Sequence, residues 1–330
     1  MTAPSGLAVS LADIEAAAGR LQGFAVRTPL LRHDALDALA GGRLFIKAEP
    51  LQRTGSFKFR GAYNRLRQLE REQLQAGVVA FSSGNHAQGV AAAAALVGCP
   101  ALILMPSDAP AIKIAATRAL GAEVRFFDRL RDNREAMGAA ISAERGAVLV
   151  PPYDDPHIIS GQGTVGLEIV SQLAELGLSP DVVCACASGG GLVAGLATAV
   201  AAHAPDARIF VAEPSGYEDH ALSLSAGVRT AHAADRPTLC DALMAPIPGT
   251  LTFPINKLRL TGAVCASDDE VLDAMAQAFL HLKLVIEPGG AVALAAALKG
   301  RLPLEGGCGV VVASGGNVDP AVFQMALARL

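Results

Sequence analysis

Hydrophobic positions along the chain alternate between short runs rich in β-branched residues and longer stretches with helical periodicity. The short runs predict strands at residues 43–48, 77–82, 101–105, 123–127, 147–150, 181–186, 208–213 and 307–314. The longer stretches predict helices at residues 10–22, 63–75, 86–97, 111–120 and 268–283, and the first begins with a capping-box spacing from Ser10 to Asp13. Strands that alternate with helices indicate parallel sheets covered on both faces, so the pattern predicts an α/β protein.

The length and the distribution of strands predict two unequal domains. A chain of 330 residues exceeds what one small core supports. Residues 76–154 hold four of the strands and three helices, and the turn-rich PPYDDP at 151–156 is the expected return crossing. We expect a large domain of residues 1–75 and 155–330 and a small domain of residues 76–154, with open, mostly parallel, doubly wound sheets.

Composition narrows the classes of partner. The net charge is -4 and no run of Lys and Arg is present, so the electrostatic footprint of a nucleic-acid-binding protein is missing. No signal peptide is expected, and the apolar stretches 89–106 and 182–202 are broken by Pro100 and by three glycines, which favours strand–helix units over membrane spans. The six cysteines form no CxxC pair, which is typical of reduced thiols in a cytoplasmic protein.

The stretch TGSFKFRG, residues 54–61, places Lys58 between two phenylalanines. Apolar neighbours remove hydration from an ammonium group and lower its pKa, so this lysine is a candidate for imine formation with a carbonyl compound. The alternative is a lysine whose stem packs on Phe57 or Phe59 while its amine points into water.

The stretch ASGGGLVAG, residues 187–195, follows a predicted strand and opens a helix. Consecutive glycines at a helix N-terminus let backbone N–H groups converge on a phosphate, although a tight turn needs the same residues. A nicotinamide dinucleotide is a further alternative, because Gly189, Gly191 and Ala194 match G-x-G-x-x-A and Glu213 follows 24 residues after Gly189.

Two more polar turns follow predicted strands. SSGNHAQG at 82–89 offers Asn85, either as a hydrogen-bond partner for a ring oxygen or as a helix N-cap. VVVASGGN at 310–317 offers the uncharged hydroxyl of Ser314, either to a ring nitrogen or to a turn. Ligands of open α/β sheets bind where strands end, so these groups are expected to surround one ligand.

Together these segments resemble the pyridoxal-phosphate enzymes of the second fold type, the tryptophan synthase β-like fold. The similarity is closest to the serine/threonine dehydratase and serine racemase group, including its 3-hydroxyaspartate dehydratases. It rests on SFKFRGA, SSGNHAQG and SGGGLVAG, with GQGTVGLEI (161–169), EPGGAVALAA (287–296) and SGGN (314–317) in the same order. The chain ends at Leu330, so the regulatory C-terminal domain of some threonine dehydratases is not expected.

The resemblance implies a role for each matching residue. Lys58 would carry pyridoxal phosphate covalently and remove the α-proton of the substrate. The cofactor site would consist of Phe57, Lys58, Asn85, Gly189, Gly190, Gly191, Leu192 and Ser314. The substrate carboxylate would be held by Ser56, Ser82, Ser83, Gly84 and His86.

Two residues bear on the reaction and the substrate. Ser83 would return a proton on the opposite face of the cofactor, as racemisation requires, or be a solvated turn hydroxyl. Arg134 would bind the distal carboxylate of 3-hydroxyaspartate, or be a solvated helix arginine.

The stretch EPSGYED, residues 213–219, resembles a metal site of the racemase-like members. Glu213, Asp219 and the carbonyl of Tyr217 would bind Mg²⁺, Mn²⁺ or Ca²⁺, and the alternative is a charged loop.

The function implied is a pyridoxal-phosphate-dependent ammonia-lyase, a dehydratase that converts 3-hydroxyaspartate, serine or threonine into a 2-oxo acid and ammonia. An amino-acid racemase on the same scaffold is the alternative, and an NAD-dependent oxidoreductase is a remote one. A small amino-acid substrate and a homodimer are expected, with no nucleic acid and no membrane as partners.

Overall fold

The computed structural model of the chain describes residues 6–82, 84–109, 111–128, 131–233 and 237–330. These residues form an α/β fold with two separate sheets. The strands are β1 Leu30–Arg32, β2 Arg43–Ala48, β3 Val78–Phe81, β4 Ala101–Pro106, β5 Glu123–Phe127, β6 Val148–Leu149, β7 Val182–Cys186, β8 Arg208–Pro214, β9 Gly262–Ala266 and β10 Cys308–Ala313. The helices are α1 Leu11–Leu21, α2 Asp34–Ala40, α3 Lys58–Leu66, α4 Arg71–Ala76, α5 Asn85–Val97, α6 Ala111–Ala119, α7 Arg134–Arg145, α8 Pro156–Glu175, α9 Gly191–His203, α10 Asp219–Ala226, α11 Thr252–Arg259, α12 Asp268–Leu282, α13 Pro288–Leu298 and α14 Pro320–Leu327.

The larger sheet has the strand order β1-β2-β10-β7-β8-β9. Only β1 runs antiparallel to its neighbour among these strands. The register pairs Ala313 with Ala48 and Val311 with Cys184, so the carboxyl ends of β2, β10 and β7 lie side by side. Segments that follow these strands therefore meet at one edge of the sheet.

The smaller sheet has the order β5-β4-β3-β6, and its strands are all parallel. It is built from strands between residues 78 and 149, with α5, α6 and α7 connecting them in sequence. The predicted fold class of two mostly parallel sheets is confirmed, while the domain boundaries at 75/76 and 154/155 stay predictions.

Both faces of the larger sheet are buried, as the doubly wound arrangement requires. In β7, Val183 and Ala185 pack in a core that includes α8 and α9, whereas Cys184 and Cys186 pack in a core that includes α12 and α13. Because side chains alternate along a strand, these are opposite faces of one sheet.

Small residues bring the helices around α3 into close contact. A Cβ atom added to Gly161 of α8 would lie 2.6 Å from the Cα of Gly61, so α8 and α3 touch through their backbones. A Cβ atom added to Gly195 of α9 would collide with the backbone of α8. The GQGTVG motif therefore fixes the position of α3, which begins at Lys58.

Most predicted strands and helices agree with the structure within one or two residues, but the helix expected at 63–75 is wrong. The structure divides this region between α3, which ends at Leu66, and α4, which begins at Arg71. Glu70 forms a capping box with Gln73 and so starts a new helix. The capping box predicted at Ser10 and Asp13 is confirmed.

In the part of the chain that the structure describes, no helix is long and apolar enough to cross a membrane. All six cysteines lie in that part and are free, and five of them are buried. The free cysteines agree with the expectation of reduced thiols.

Candidate active site

The loop before Lys58 is fixed to the end of β10. Ser56 forms an isolated antiparallel bridge with Gly315, and the N–H of Phe57 donates to the Ser314 carbonyl at 3.2 Å. Ser56 is fully buried, and its Oγ has no hydrogen-bond partner. The expected neighbours from the N-terminal and C-terminal parts of the sequence are thus brought together.

Lys58 begins α3 and is partly buried. Its Nζ donates to the Pro152 carbonyl at 2.7 Å and lies 5.2 Å from the centroid of the Phe57 ring. Burial lowers the pKa of this amine to about 8, and the acidic groups Cys186 and Glu287 only partly oppose the shift. A neutral, nucleophilic amine is therefore accessible near physiological pH.

Asn85 is held by two residues from the C-terminal part of the chain. Its Nδ2 donates to Glu287 Oε1 at 2.5 Å, and its Oδ1 accepts from Asn317 Nδ2 at 2.8 Å. Burial raises the pKa of Glu287 to about 7, although the Asn85 hydrogen bond acts in the opposite direction. Asn85 is thus the first residue of α5 and also part of a polar network at the edge of the larger sheet.

Ser314 follows β10 and contacts the end of β7. Its Oγ accepts from Cys186 Sγ at 3.2 Å. Burial raises the pKa of the Cys186 thiol to about 11, although the hydrogen bond to Ser314 lowers it. The hydroxyl therefore faces a neutral thiol, and among the described residues no charged side chain forms a hydrogen bond with it.

The glycines between β7 and α9 leave no room for side chains. A Cβ atom on Gly189 would enter the Tyr153 ring, and one on Gly190, whose φ is +90°, would lie 2.6 Å from both His220 Nε2 and Asn256 Nδ2. Gly191 and Leu192 begin α9, where N–H groups lack intrahelical acceptors. This segment, the glycine cradle, lies next to Tyr153, the neighbour of the Pro152 that contacts Lys58, and it has the free N–H groups that an anion site requires.

The turn after β3 was expected to hold a carboxylate. The Ser82 Oγ accepts from the N–H of Gly84 at 3.1 Å, and His86 is buried with its Nε2–H donating to the Val150 carbonyl at 2.9 Å. Burial lowers the pKa of His86 to about 3, so its ring is neutral and its Nδ1 has no partner. Ser83 lies outside the described residues.

Arg134 begins α7 and is half exposed. Its guanidinium lies 5.5 Å from the centroid of the Phe81 ring, the last residue of β3, and its Nε contacts Glu135 Oε1 at 2.9 Å. The arginine is therefore next to the strand that leads into the Ser82 turn, but it is already paired with a carboxylate.

The expected metal residues Glu213 and Asp219 are brought together and are joined by His220, which sequence reasoning missed. All three are fully buried, and one ligand atom from each lies within 4.8 Å of the others. Glu213 accepts from the N–H groups of His220 and Ala221 at 2.7 and 2.9 Å. Its carboxylate is fully buried beside Asp219 and His220 and has no exposed surface for a ribose, so the dinucleotide interpretation is not supported.

Electrostatics in this cluster are unusual for buried groups. Burial raises the pKa of Asp219 and would lower that of His220, but the carboxylates of Asp219 and Glu213 outweigh it and raise the His220 pKa to about 9. Tyr217 is buried, with its N–H on the Pro214 carbonyl at 2.9 Å, and the assignment of its own carbonyl to a metal stays a prediction.

Sequence reasoning assigned no role to Glu287 or Cys186, which the structure places beside Asn85 and Ser314. Each had a signal in the sequence. Glu287 precedes the proline that opens a helix, and Cys186 is the last residue of a strand whose carboxyl end was expected to hold a ligand.

The sequence matches the family described as pyridoxal-phosphate dependent enzyme over residues 21–315. L-threo-3-hydroxyaspartate ammonia-lyase of a Pseudomonas species is 42% identical over 307 residues, which cover 93% of this chain and 95% of that protein.

Two solved structures are similar over almost the whole chain. Maize serine racemase superposes with a TM-score of 0.90 at 37% identity and covers 98% of each chain. A threonine deaminase from T.th. superposes with a TM-score of 0.87 at 44% identity, covering 94% of this chain and 99% of that one.

Proposed function

Because the chain belongs to the pyridoxal-phosphate dependent enzymes, we propose that it is an ammonia-lyase that dehydrates and deaminates a β-hydroxy amino acid, with 3-hydroxyaspartate preferred over serine and threonine. The observation that carries this proposal is the position of Lys58. Its amine has a lowered pKa and donates to the Pro152 carbonyl. The next residue, Tyr153, packs against the glycine cradle.

The residues at the edge of the larger sheet fit pyridoxal phosphate. The cradle of Gly189, Gly190, Gly191 and Leu192 would take the phosphate, because added Cβ atoms at its glycines meet neighbouring side chains and its N–H groups open a helix. Lys58 would hold the aldehyde carbon, Asn85 the ring hydroxyl and Ser314 the ring nitrogen, with Phe57 packed beside the lysine.

When bound, pyridoxal phosphate supplies the electron-withdrawing ring system that stabilises a carbanion at the α-carbon of an amino acid. Lys58 Nζ takes up the α-proton, and a pKa near 8 suits an amine that both accepts and returns a proton. Ser314 presents no charge to the ring, an arrangement that favours loss of the β-hydroxyl over storage of the carbanion. The orphaned Oγ of Ser56 and the Ser82–Gly84 turn would hold the substrate carboxylate.

The overall reaction balances without an oxidant. The substrate loses its α-proton and β-hydroxyl as water, and the resulting enamine tautomerises to an imine. Water then hydrolyses the imine to a 2-oxo acid and ammonia. For 3-hydroxyaspartate the carbon product is oxaloacetate.

Arg134 supports the preference for a substrate with a second carboxylate. Its guanidinium lies over Phe81, directly before the Ser82 turn, and guanidinium groups bind carboxylates bidentately. Glu135, which it contacts in the structure, would have to yield this contact to the substrate.

The metal part of the proposal places Mg²⁺, or Mn²⁺ or Ca²⁺, on Glu213, Asp219 and the Tyr217 carbonyl. Its support is the burial of both carboxylates, since buried carboxylates are normally paired or bind metals. The homodimer and the cytoplasmic location also stay predictions.

Racemisation is the alternative activity. The similarity to maize serine racemase is the reason to measure it alongside elimination. It depends on Ser83, which lies outside the described residues. Among the described residues no contact favours racemisation, and the uncharged surroundings of Ser314 favour elimination, so the lyase is the proposal.

The test is a 2-oxo acid and ammonia assay over L-threo-3-hydroxyaspartate, L-serine, D-serine and L-threonine, with chiral analysis of recovered serine. We expect equal amounts of the two products and the highest kcat/KM on 3-hydroxyaspartate. Arg134→Ala is expected to lower kcat/KM about 10- to 100-fold on 3-hydroxyaspartate, the worth of a charge-assisted hydrogen bond, and less than about threefold on L-serine.

The matched control is Arg131→Ala, which removes a nearby arginine with 86% of its side chain exposed and is expected to change neither value. Equal losses on both substrates after Arg134→Ala would remove the carboxylate clamp. The lyase proposal would be refuted if no substrate released ammonia. It would also be refuted if serine were racemised without release of ammonia.

A further inference from the structure

We infer that His220 is a nitrogen ligand of the metal site, and that it directs the site towards transition ions such as Mn²⁺ rather than Mg²⁺ or Ca²⁺. The inference deepens the metal part of the proposed function and rests on it. The expected ligand set, two carboxylates and a carbonyl, contains oxygen only. The structure adds an imidazole from the residue next to Asp219.

The first observation is that the facing polar atoms of the cluster have no hydrogen-bond partner. Both carboxylate oxygens of Asp219 and the Nδ1 of His220 are buried and unsatisfied. Buried polar atoms are almost always hydrogen-bonded. Within the described residues these three atoms have only long ion-pair contacts with one another and with Glu213, so their arrangement suits a ligand from outside the chain.

The second observation is the spacing of these atoms. His220 Nδ1 lies 3.4 Å from Asp219 Oδ2 and 3.6 Å from Glu213 Oε1. These separations exceed a normal hydrogen bond. Two ligand atoms about 2.1 Å from one ion are about 3.0 Å apart at a right angle and about 3.4 Å apart at the tetrahedral angle, so the spacing suits a shared ion.

The third observation concerns the opposite nitrogen of the ring. His220 Nε2 lies 3.2 Å from Asn256 Nδ2, and Asn256 Oδ1 is buried without a partner. A half-turn of the Asn256 amide presents Oδ1 to an Nε2–H group. Metal-bound histidines usually donate their second N–H to such an oxygen, which fixes the ring and its tautomer.

The chemistry of the ligands sets the choice of ion. Mg²⁺ and Ca²⁺ are hard cations that bind oxygen, whereas imidazole suits Zn²⁺, Cu²⁺, Fe²⁺ and Ni²⁺ best. Mn²⁺ also favours oxygen ligands, but as a first-row transition ion it accepts imidazole more readily than Mg²⁺ does, so an added imidazole raises the affinity for Mn²⁺ relative to Mg²⁺. The same ring lies under Gly190, so the ion and the glycine cradle share one side chain between them.

The test uses metal-free holoenzyme and measures Mn²⁺ and Mg²⁺ binding by calorimetry, with pulsed electron paramagnetic resonance of the Mn²⁺ form. We expect ¹⁴N coupling from one imidazole. Labelling the histidines with ¹⁵N should replace this signal with ¹⁵N coupling. His220→Asn should abolish the coupling and lower the Mn²⁺-to-Mg²⁺ affinity ratio at least about tenfold, since even outer partners of metal ligands are worth 10- to 100-fold.

His203→Asn, an exposed histidine at the end of α9, is the matched control and should leave both readouts unchanged. Bound Mn²⁺ without nitrogen coupling in the unaltered protein would overturn the inference while keeping the metal site, and this readout holds even where His220→Asn fails to fold. If neither Mn²⁺ nor Mg²⁺ binds, both the inference and the metal site are overturned. The lyase assay is a separate result and is not affected.

Discussion

Lys47 and Lys58 are both withdrawn from water, but they differ in how their charge is balanced. The side chain of Lys47 is fully buried, and its Nζ donates to three acceptors, among them Glu168 Oε2 at 2.5 Å. Lys58 donates to one backbone carbonyl, that of Pro152. Burial lowers the pKa of both amines, and a contacting carboxylate opposes the shift only at Lys47.

The surroundings of Lys47 form a complete charge cluster, which consists of Lys47, Glu49, Arg60 and Glu168. Arg60 is 1% exposed and contacts Glu49 and Glu168 through four hydrogen bonds of 2.6 to 2.9 Å. Burial would raise the pKa of Glu49, but Arg60 lowers it below its ordinary value. A buried charge with all its partners inside the chain serves the fold, whereas a buried amine with a single neutral partner is available for chemistry.

The largest expected effect separates the two lysines directly. Lys58→Ala should remove the visible absorption of bound cofactor and lower ammonia release at least about a thousandfold, because the residue that holds the cofactor and moves the proton is gone. The measurements are an absorption spectrum and the ammonia assay. Lys47→Met is the control, expected to lower the melting temperature but to keep the absorption band, and a lost band in that variant would break the distinction.

The next effect tests the charge cluster. Glu49→Gln leaves the buried Arg60 without one of its two carboxylates, so the free energy of unfolding should fall by about 3–5 kcal/mol. Glu175→Gln removes the exposed partner of Arg27 and should cost less than about 1 kcal/mol. Urea denaturation of both variants measures the difference, and similar losses would show that burial does not distinguish the two pairs.

The sequence reveals the two kinds of lysine unequally. Lys58 is recognisable because glycines, a serine and two phenylalanines surround it in a motif. The polar turns after β7 and β10 share its sheet edge, and the Asn85 turn after β3 of the smaller sheet meets them through Asn317. Lys47 lies in the predicted strand RLFIKA, and its partners Glu168 and Gln172 are more than 120 residues away. Such partners depend on how α8 crosses the sheet, which local periodicity does not specify.

The same reasoning explains what was missed at the candidate sites. The carboxylates Glu213 and Asp219 are six residues apart and formed a motif, so their proximity was predictable. His220 was adjacent in sequence but had no periodic or motif signal, and its role depends on the side-chain direction at the first turn of α10. Glu287 contacts Asn85 across 202 positions. Asn85 follows β3 of the smaller sheet, so this contact depends on how the two sheets are placed relative to each other, which local sequence does not specify.

A smaller effect on stability is expected from Glu287. Among the described residues its carboxyl group forms no ion pair, so like Lys58 it is a group withdrawn from water without a charged partner. Its pKa is about 7 in the fold, above the ordinary value of 4.5, so the folded state binds the proton more tightly than the unfolded state. Stability from this group is present below pH 4.5 and lost as pH rises towards 7, by at most about 3 kcal/mol.

The measurement is the unfolding free energy of the cofactor-free protein between pH 4.5 and 7, with Glu287→Gln as the variant. Glutamine still accepts from Asn85 but does not titrate, so the variant should lose less stability over this range than the unaltered protein. Glu72→Gln, at an exposed position of α4, is the control. Parallel pH curves for all three proteins would show that Glu287 is charged in the fold, as Glu49 is.

The smallest expected effect concerns Gly190. The question is whether this position requires glycine only for its backbone conformation or also for phosphate binding. Gly190→Ala places a Cβ atom at a φ of +90° and 2.6 Å from His220 Nε2 and Asn256 Nδ2, so it distorts the cradle as well as the backbone. Gly98 has a φ of +70° with nothing within 4 Å of an added Cβ, so Gly98→Ala carries the backbone cost alone. Gly98→Ala should lose about 1–2 kcal/mol of stability, and Gly190→Ala should lose more because its added Cβ atom also meets two side chains. Only Gly190→Ala should weaken pyridoxal phosphate binding, by about 10- to 100-fold in a fluorescence titration, the value of one or two charge-assisted hydrogen bonds. Backbone strain is common to the two positions, whereas the cradle is present only at Gly190. If both variants bound pyridoxal phosphate equally well, Gly190 would therefore serve the turn alone, and other groups would bind the phosphate.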